Sequence, residues 1–290
     1  MTSSLRGATG RQHTLRRPVT LSGIGLHSGK PVSIECRPSM AGSGITFLRT
    51  DLPDAKPLAA RAGTVGDVRR GVTLGGRNGV RTVEHLLAAA AGLAIDNLLV
   101  SVNGPELPAL DGSAAPYCDA FESAGLDEQT TRVGPVILQT PIWVERGTSW
   151  ILGVPAPQFR ATYVVPLPSE ALGIQVADVE IDRVRFREEI APARTWGVNE
   201  DLETLQAQGL ALGASEENAL GIGPHGYTGR PRFPDEPARH KILDLIGDLA
   251  LLGRPLRAHV IAFGAGHALH IEFVRALEIT RPGDQGTMGP

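Results

Sequence analysis

Hydrophobic and polar residues alternate along much of the first half of the chain, between turns rich in Gly and Ser. In residues 13–50, Val, Ile, Thr and Phe recur at alternating positions, which predicts three strands. The run 80–94 is rich in Ala and Leu and predicts a buried helix that begins near Thr82. A strand over 97–104 and a second helix over 117–124 complete this half.

The second half repeats this succession of strands and helices. Its predicted elements are strands near 136–154 and 160–166, an alternating segment at 176–186, a helix at 199–211, a loop at 221–237, a helix at 238–253, a strand at 256–263, a helix from Gly266 and a frayed tail at 281–290. The pattern indicates a duplicated α+β unit. The polar segment 125–135 places the domain boundary, giving domains 1–130 and 131–290.

Composition narrows the class of protein. The chain has 290 residues, of which 42% are hydrophobic and 20% charged, and a net charge of -3. These values are typical of a globular protein and give no basic footprint for nucleic acid. The chain contains no run of 18 apolar residues, so no transmembrane segment is predicted. Its first residues lack the apolar core of a secretory signal. Two cysteines, Cys36 and Cys118, are too few for a disulfide scaffold, so a reduced, cytoplasmic location is expected.

The strongest chemical signal is the segment RHKILDLIGD, residues 239–248. On a helix, His240 and Asp244 are four residues apart and share a face, and Asp248 continues that stripe about 80° round. Imidazole and carboxylate at this spacing suit zinc. The alternative is a solvated helix face that carries a His–Asp pair. Lys241, in the same segment, is one of only three lysines beside 25 arginines, which suggests a site that needs a compact charge.

Two weaker signals contain histidine. In TVEHLL, residues 82–87, Glu84 and His85 point about 100° apart on a helix, so one can bind a metal while the other reaches its water. The alternative is that Glu84 and His85 only stabilise the N-terminus of a helix and take no part in chemistry.

The segment GAGHALH, residues 264–270, places His267 between a strand and a helix, where catalytic groups often lie. The alternative is an ordinary first residue of a helix. His259 and His270 are expected to be structural.

Together, TVEHL, DGSAAP, ARTWG, RHKILDLIGD and GHAL resemble the UDP-3-O-acyl-N-acetylglucosamine deacetylases, the zinc amidases of the committed step of lipid A synthesis. The order of the motifs matches, GIGLHSG at 23–29 matches too, and the resemblance covers about residues 12 to 278. It implies two similar α+β domains packed as a sandwich, with helices between two sheets and the site between the domains.

The resemblance also implies a role for each site residue. It implies one zinc ion per chain, with iron(II) also accommodated by such a donor set, and a UDP-sugar substrate that carries an acyl chain. The implied ligands are His85 from the first domain and His240 and Asp244 from the second. The other implied roles are Glu84 as general base, His267 as the protonated group that serves the leaving amine, Asp248 as its ion-pair partner, Thr195 as support for the oxyanion, and Lys241, Trp196 and His27 as substrate contacts.

Residues 199–223 resemble the family's insertion that forms the acyl passage, and we expect a monomer. The chain departs from the family pattern where Trp196 replaces Phe, Gly264 replaces Lys and His270 replaces Asn, and in the loop before Arg239, which is rich in glycine and proline and lacks the usual acidic run. Two further hypotheses stay open: Gly264 and His270 motivate a zinc hydrolase for a different N-acyl sugar or amide, and the other is a catalytically silent binding protein that keeps the fold. The second of these predicts the loss of Glu84, His267 or a ligand, and none is lost.

Overall fold

The computed structural model describes residues 10–279, and two five-stranded sheets form its framework. The first sheet has the order β2 (Val19–Ile24), β3 (Pro31–Pro38), β9 (Leu98–Val102), β4 (Ile45–Arg49) and β5 (Leu58–Ala59). The second has the order β12 (Ile142–Arg146), β13 (Ser149–Val154), β20 (His259–Phe263), β14 (Arg160–Pro166) and β15 (Ile174–Glu180).

The two sheets have the same topology. The central strand of each sheet, β9 or β20, is antiparallel to one neighbour and parallel to the other. In each half, four strands are followed by a helix, the central strand and a second helix. The duplicated α+β unit predicted from the pattern is therefore confirmed as a fold.

The structure describes six helices, of which α1 and α5 pack against each other in the interior. The helices are α1 (Glu84–Gly92), α2 (Ala115–Ala124), the single turn α3 (Arg183–Arg185), α4 (Leu202–Ala207), α5 (Glu236–Leu249) and α6 (His267–Ile279). Nearly all of α1 and α5 is buried, polar residues included. Because both helices are covered on every side, their chemistry-bearing side chains face the protein interior.

Smaller strands complete the fold. β6 (Val65–Asp67), β7 (Thr73–Leu74) and β8 (Val80–Arg81) form a three-stranded sheet just before α1. β16 (Trp196–Val198), β17 (Leu220–Gly223) and β18 (Gly226–Tyr227) form another in the second half. Two pairs remain, β1 (Arg11–Leu15) with β10 (Leu126–Arg132) and β11 (Val136–Ile137) with β19 (Leu256–Arg257).

The helices α1 and α5 approach each other unusually closely. A Cβ atom built on Gly247 would lie 2.1 Å from the carbonyl oxygen of Glu84, which no real Cβ tolerates. Glycine at this position lets the first turn of α1 contact the backbone of α5. The contact brings the Glu84–His85 pair of one half to the His240–Asp244 pair of the other.

Several predicted elements are wrong. The first of the three strands expected in residues 13–50 is divided into two, β1 and β2, by residues 16–18. Residues 126–132, expected to be a polar linker, form β10, whose exposed positions show no apolar alternation. The predicted loop 221–237 contains most of β17 and all of β18. Position 221 in β17 must be glycine, because a Cβ there would lie 2.2 Å from the Thr228 hydroxyl. A glycine contributes no side chain to the alternating pattern by which a strand is recognised in a sequence. The helix predicted over 199–211 is shorter, because Asn199–Asp201 is a 3₁₀ turn and α4 ends at Ala207.

The predicted tail at 281–290 lies outside the described residues. Within residues 10–279, no helix has the length and apolar character that a membrane crossing requires. The boundary after residue 130 stays a prediction.

Candidate active site

Three candidate ligands meet at one buried point. His85, near the start of α1, and His240 and Asp244, one turn apart on α5, are each at most 6% exposed. The Asp244 Oδ1 atom lies 3.3 Å from His240 Nε2 and 3.7 Å from His85 Nε2. One donor atom from each residue lies within 4.8 Å of the other two. Two imidazoles and a carboxylate oxygen thus form a facial set of donors.

The hydrogen bonds and charges of these residues fit a metal ion. His240 Nδ1 lies 3.0 Å from the Ala193 carbonyl, so Nδ1 carries the proton and Nε2 presents a lone pair. Burial lowers the pKa of His240 to about 4, which keeps the ring neutral. Burial acts to raise the pKa of Asp244, but Lys241, His240 and His267 outweigh it and hold that pKa well below its usual range. Asp244 Oδ1 is buried and accepts no hydrogen bond from the described residues, as expected of an atom meant for a cation.

Glu84 and His267 face each other beside this set. Glu84 is 3% exposed, and its Oε2 accepts the Val72 N–H at 2.9 Å. Its other oxygen, Oε1, lies 3.8 Å from His267 Nε2. Burial raises the pKa of Glu84. The carboxylate is therefore fixed through one oxygen and basic at the other.

His267 begins α6 and is anchored from behind by Asp248. Its Nδ1 lies 2.7 Å from Asp248 Oδ2, which leaves Nε2 directed at Glu84 and Asp244. Burial acts to lower the pKa of His267, but the carboxylates of Asp248, Asp244 and Glu84 outweigh it and raise the pKa to about 9. The ring is therefore an imidazolium at neutral pH, able to donate a proton.

The turn into α1 is held by a buried carboxylate. Thr82 has a φ of 58°, a left-handed conformation that is uncommon for a β-branched residue. The Thr82 hydroxyl donates to Glu106 Oε1 at 3.2 Å. The Glu106 carboxylate also accepts the backbone N–H groups of His27 and Ser28, each at 2.8 Å. Glu106, which sequence reasoning did not select, thus ties the start of α1 to the loop after β2.

A cavity of about 540 Å³ opens over these groups. Its lining contains the three candidate ligands with Glu84, His267, Thr195 and Lys241. Apolar side chains line it as well, among them Leu26, Leu202, Leu205, Ala211, Ala214 and Leu220. One cavity therefore combines reactive polar groups with apolar wall.

Two of the predicted substrate contacts, Lys241 and His27, already form hydrogen bonds within the protein. Lys241 Nζ donates to Asp244 Oδ2 at 2.9 Å and lies 5.9 Å from the centre of the Trp196 ring. His27 lines the cavity, yet its Nε2 lies 2.8 Å from the Arg70 carbonyl and its Nδ1 accepts the Ala211 N–H. Both ring nitrogens of His27 thus join the loop after β2 to backbone, and substrate contact through His27 stays a prediction.

Two further buried residues contact the groups of the site. Glu236, which the sequence does not single out, is fully buried and accepts Arg194 N–H and Nε at 2.9 and 3.0 Å, which fixes the segment before β16, where Thr195 lies, against α5. His270, expected to be structural, places Nδ1 2.7 Å from Asp248 Oδ2. Arg194 and Glu236 are far apart in the sequence, so their spacing does not predict that they form a pair.

The fold and the site define a class: a duplicated α+β protein with a buried candidate metal centre between its halves, flanked by a carboxylate and an imidazolium. The model of the LpxC family, UDP-3-O-acyl N-acetylglycosamine deacetylase, matches residues 12–278. The chain belongs to this family, whose members are metalloenzymes.

Named relatives agree with this assignment. The chain is similar to the UDP-3-O-acyl-N-acetylglucosamine deacetylase of Nostoc sp. (strain PCC 7120 / SAG 25.82 / UTEX 2576), with 42% identity over 274 residues, 92% of this chain and 98% of that protein. The enzyme of the same name from Myxococcus xanthus (strain DK1622) is 42% identical over 93% of this chain and 87% of its own length. That from Brucella melitensis biotype 2 (strain ATCC 23457) is 40% identical over 92% and 94%.

Proposed function

We propose that the chain hydrolyses the N-acetyl group of UDP-3-O-acyl-N-acetylglucosamine to acetate and UDP-3-O-acyl-glucosamine, the committed step of lipid A biosynthesis. The observation that carries this proposal is the meeting, in one cavity, of the His85–His240–Asp244 set with Glu84 and His267, which face each other beside it. Family membership supplies the substrate class.

The ion held by His85, His240 and Asp244 is zinc in this proposal, one per chain. Neutral imidazoles and one carboxylate are a common donor set of catalytic zinc sites, which keep a fourth position open. Zinc held there would act as a Lewis acid, which would lower the pKa of a water molecule to about 7 and polarise the amide carbonyl. Iron(II) is accommodated by the same donors, so the native metal is a matter for measurement.

Glu84 acts as the general base. Its Oε2 is occupied by the Val72 N–H, so the proton of the attacking water passes to Oε1, which lies 3.8 Å from His267 Nε2. Burial raises the pKa of this carboxyl, which strengthens it as a base near neutral pH. Thr195, which lines the cavity, supports the oxyanion that develops on the carbonyl oxygen.

His267 completes the reaction at the amine. Held by Asp248, its Nε2–H donates a proton to the leaving nitrogen as the C–N bond breaks. The water thus supplies one oxygen of the carboxylate product. Glu84 takes one proton of the water, the other leaves when acetic acid ionises, and the proton that the amine receives comes from His267, which the proton held by Glu84 then restores. Lys241 and Trp196, which line the same cavity, would bind the polar part of the substrate.

The apolar part of the cavity wall suits the 3-O-acyl chain. Four leucines and three alanines line the cavity, and α4 and β17 of the predicted insertion 199–223 supply part of this wall. Burial of each methylene in such a wall is worth about 0.8 kcal/mol. Binding energy from this remote part of the substrate is available to the chemical step.

We also propose that the protein is a cytoplasmic monomer. Cys36 and Cys118 are both free and buried, and burial raises the pKa of each thiol to about 12, so neither is reactive. Two protonated, unpaired thiols suit a reducing compartment. Size-exclusion chromatography with light scattering tests the monomer.

The decisive experiment is release of acetate from UDP-3-O-acyl-N-acetylglucosamine by the purified protein, with and without a zinc chelator. Release that the chelator abolishes and zinc restores would support both the reaction and the metal. Absence of release from protein that holds one zinc per chain would contradict the substrate assignment.

A second candidate function rests on Gly264. This residue takes the place of a lysine in the resemblance and adopts a φ of 56°, so the edge of the site near His267 has one fewer cation for a diphosphate. A zinc hydrolase for another N-acyl sugar or amide would share every catalytic residue. A panel of N-acetylated sugars without the nucleotide, run beside the UDP-linked substrate, separates the two functions.

A further inference from the structure

The Asp248 side chain is shared by two histidines. It is 1% exposed, and its Oδ2 lies 2.7 Å from Nδ1 of His267 and 2.7 Å from Nδ1 of His270. The two rings stand nearly perpendicular, at 81°, with centres 5.8 Å apart. Asp248 Oδ1 is buried with no hydrogen-bond partner among the described residues. The orientation of the carboxylate is therefore set at one oxygen, by two N–H donors.

The protonation of the inner ring follows from its neighbours. His270 is fully buried, and burial lowers its pKa, so the ring is neutral and carries one proton. A carboxylate only accepts hydrogen bonds, so that proton lies on Nδ1. Nε2 lies 2.7 Å from the Tyr163 hydroxyl, and the Ala265 carbonyl lies 2.8 Å from the same hydroxyl, whose single proton is donated to one of these two acceptors at a time.

We propose that His270 is a positioning residue, which holds the Asp248 carboxylate through Nδ1–H and thereby fixes the orientation of His267 toward the substrate. It does not touch the substrate itself, because it is fully buried behind Asp248. The inference rests on the proposed function, in which His267 donates a proton to the leaving amine.

The geometry explains why one N–H matters. Without the His270 donor, Asp248 would be anchored by His267 alone and could rotate about the bond that carries its carboxylate. His267 Nε2 must meet both the leaving nitrogen and the charge of Glu84, which is 3.8 Å away. A displacement of about 1 Å at a reacting group can cost about a hundredfold in rate. The expected loss is therefore in kcat, not in substrate binding.

Three substitutions separate the two hydrogen bonds of the ring. In His270→Asn the amide nitrogen takes the place of Nδ1, so the bond to Asp248 is kept and the bond to Tyr163 is lost. In His270→Gln the amide reaches the place of Nε2, so the reverse holds. His270→Leu removes both. The matched control is His259→Asn, since His259 lies on β20 and bonds Thr162 at 2.8 Å, away from Asp248.

The measurement is kcat and KM for acetate release by zinc-loaded protein, with metal content and unfolding midpoint determined for each variant. We expect His270→Gln and His270→Leu to lose about tenfold to a hundredfold in kcat, with KM within about twofold of the wild type. His270→Asn should retain most of kcat, even if it is less stable. The control should resemble the wild type.

Several results would overturn the inference. They are equal losses in all three variants, a loss that follows the unfolding midpoint, a change in KM without a change in kcat, and full activity of His270→Leu. A wild type that releases no acetate would count against the proposed function. Full activity in His267→Gln would count against the role of His267. If the wild type is active and His267→Gln is not, the His270 series tests the positioning role alone.

Discussion

At the scale of single residues, burial sets the chemistry of the site. Glu84 and His240 lie in the same buried pocket, and desolvation moves both toward the neutral form. For His240 the result is a free lone pair, and for Glu84 a stronger base. Burial also acts to lower the pKa of His267, but the surrounding carboxylates stabilise its charge and outweigh this effect. A ligand, a base and an acid thus arise from one environment.

The role of Glu84 predicts a specific kinetic defect. Glu84→Gln keeps the shape of the side chain but cannot accept the water proton, so kcat should fall by about 10²–10⁴. Metal content, measured by mass spectrometry, should remain at the wild-type level, because Glu84 is not among the three converging donors. Loss of zinc from this variant would move Glu84 to a structural role.

The raised pKa of His267 predicts the alkaline side of the pH profile. A proton donor works only below its pKa, which is about 9 for this ring. Wild-type kcat/KM should therefore be maintained up to about pH 9 and fall above it. In His267→Gln the rate should be lower and the alkaline fall absent, whereas His259→Gln should keep the wild-type profile. An unchanged alkaline fall in His267→Gln would rule out this assignment.

Some of these residues were predictable and others were not. The spacing of His240 and Asp244 on a helix indicates a shared face from the sequence alone, whereas the position of His85 relative to them required the resemblance. Glu106 and Glu236 gave no signal, since they act on backbone N–H groups distant in sequence. His270 is expected to be structural because a buried imidazole in a helix is usually a packing residue, and the contact with Asp248 behind its proposed positioning role is visible only in the structure.

At the scale of elements, the site depends on how closely α1 and α5 approach. The two helices belong to different halves of the chain, and each carries part of the donor set. Gly247 allows the backbones to touch, as the 2.1 Å approach of a Cβ to the Glu84 carbonyl shows. The distance between the helices therefore sets the distance between the ligands.

Gly247→Ala should disturb both stability and metal binding. Alanine would favour the helix by about 1 kcal/mol, but its methyl group meets backbone that can yield only if α1 moves. The net effect should be a loss of about 1–3 kcal/mol in the free energy of unfolding, with weaker zinc affinity. Urea denaturation and a zinc competition assay measure the two.

Gly63→Ala provides the control for this substitution. A Cβ on Gly63 meets nothing within 4 Å, so the change in unfolding free energy should stay within about 0.5 kcal/mol. If Gly247→Ala behaved like this control, the close approach of α1 and α5 would not be what sets the site.

Elements with a regular apolar period were the predictable ones. The alternation in β13, β14 and β20 marked them as strands, since one face of each is buried. β10 was missed because both its faces are largely exposed. β17 was missed because its glycines serve close approach and leave little hydrophobic pattern.

At the scale of the whole molecule, the duplicated fold explains why the site lies where it does. Each half places one helix before its central strand, and these two helices, α1 and α5, pack against each other between the sheets. The similar halves could be predicted from the repeated order of strands and helices. Their relative placement could not, because no sequence pattern records which helix faces meet across a domain interface.

Because the donors come from both halves, metal removal should loosen the whole molecule. His85 belongs to the first half, and His240 and Asp244 to the second, so the ion links them. A ligand that binds only the folded state at about a thousand times its Kd stabilises that state by about 4 kcal/mol. Chelation should therefore lower the unfolding temperature by roughly 10 °C, and added zinc should restore it.

Two variants make this test specific to the donor set. Asp244→Asn should unfold at a temperature that the chelator barely changes, since one of the three donors is lost. Asp178→Asn is the control, because this carboxylate pairs with Arg160 on an exposed part of the second sheet and should leave the chelator response intact. Differential scanning calorimetry measures the unfolding temperature of both variants with and without the chelator. A wild-type unfolding temperature that ignores the chelator, in protein shown to have lost its zinc, would mean that the ion serves catalysis without linking the two halves.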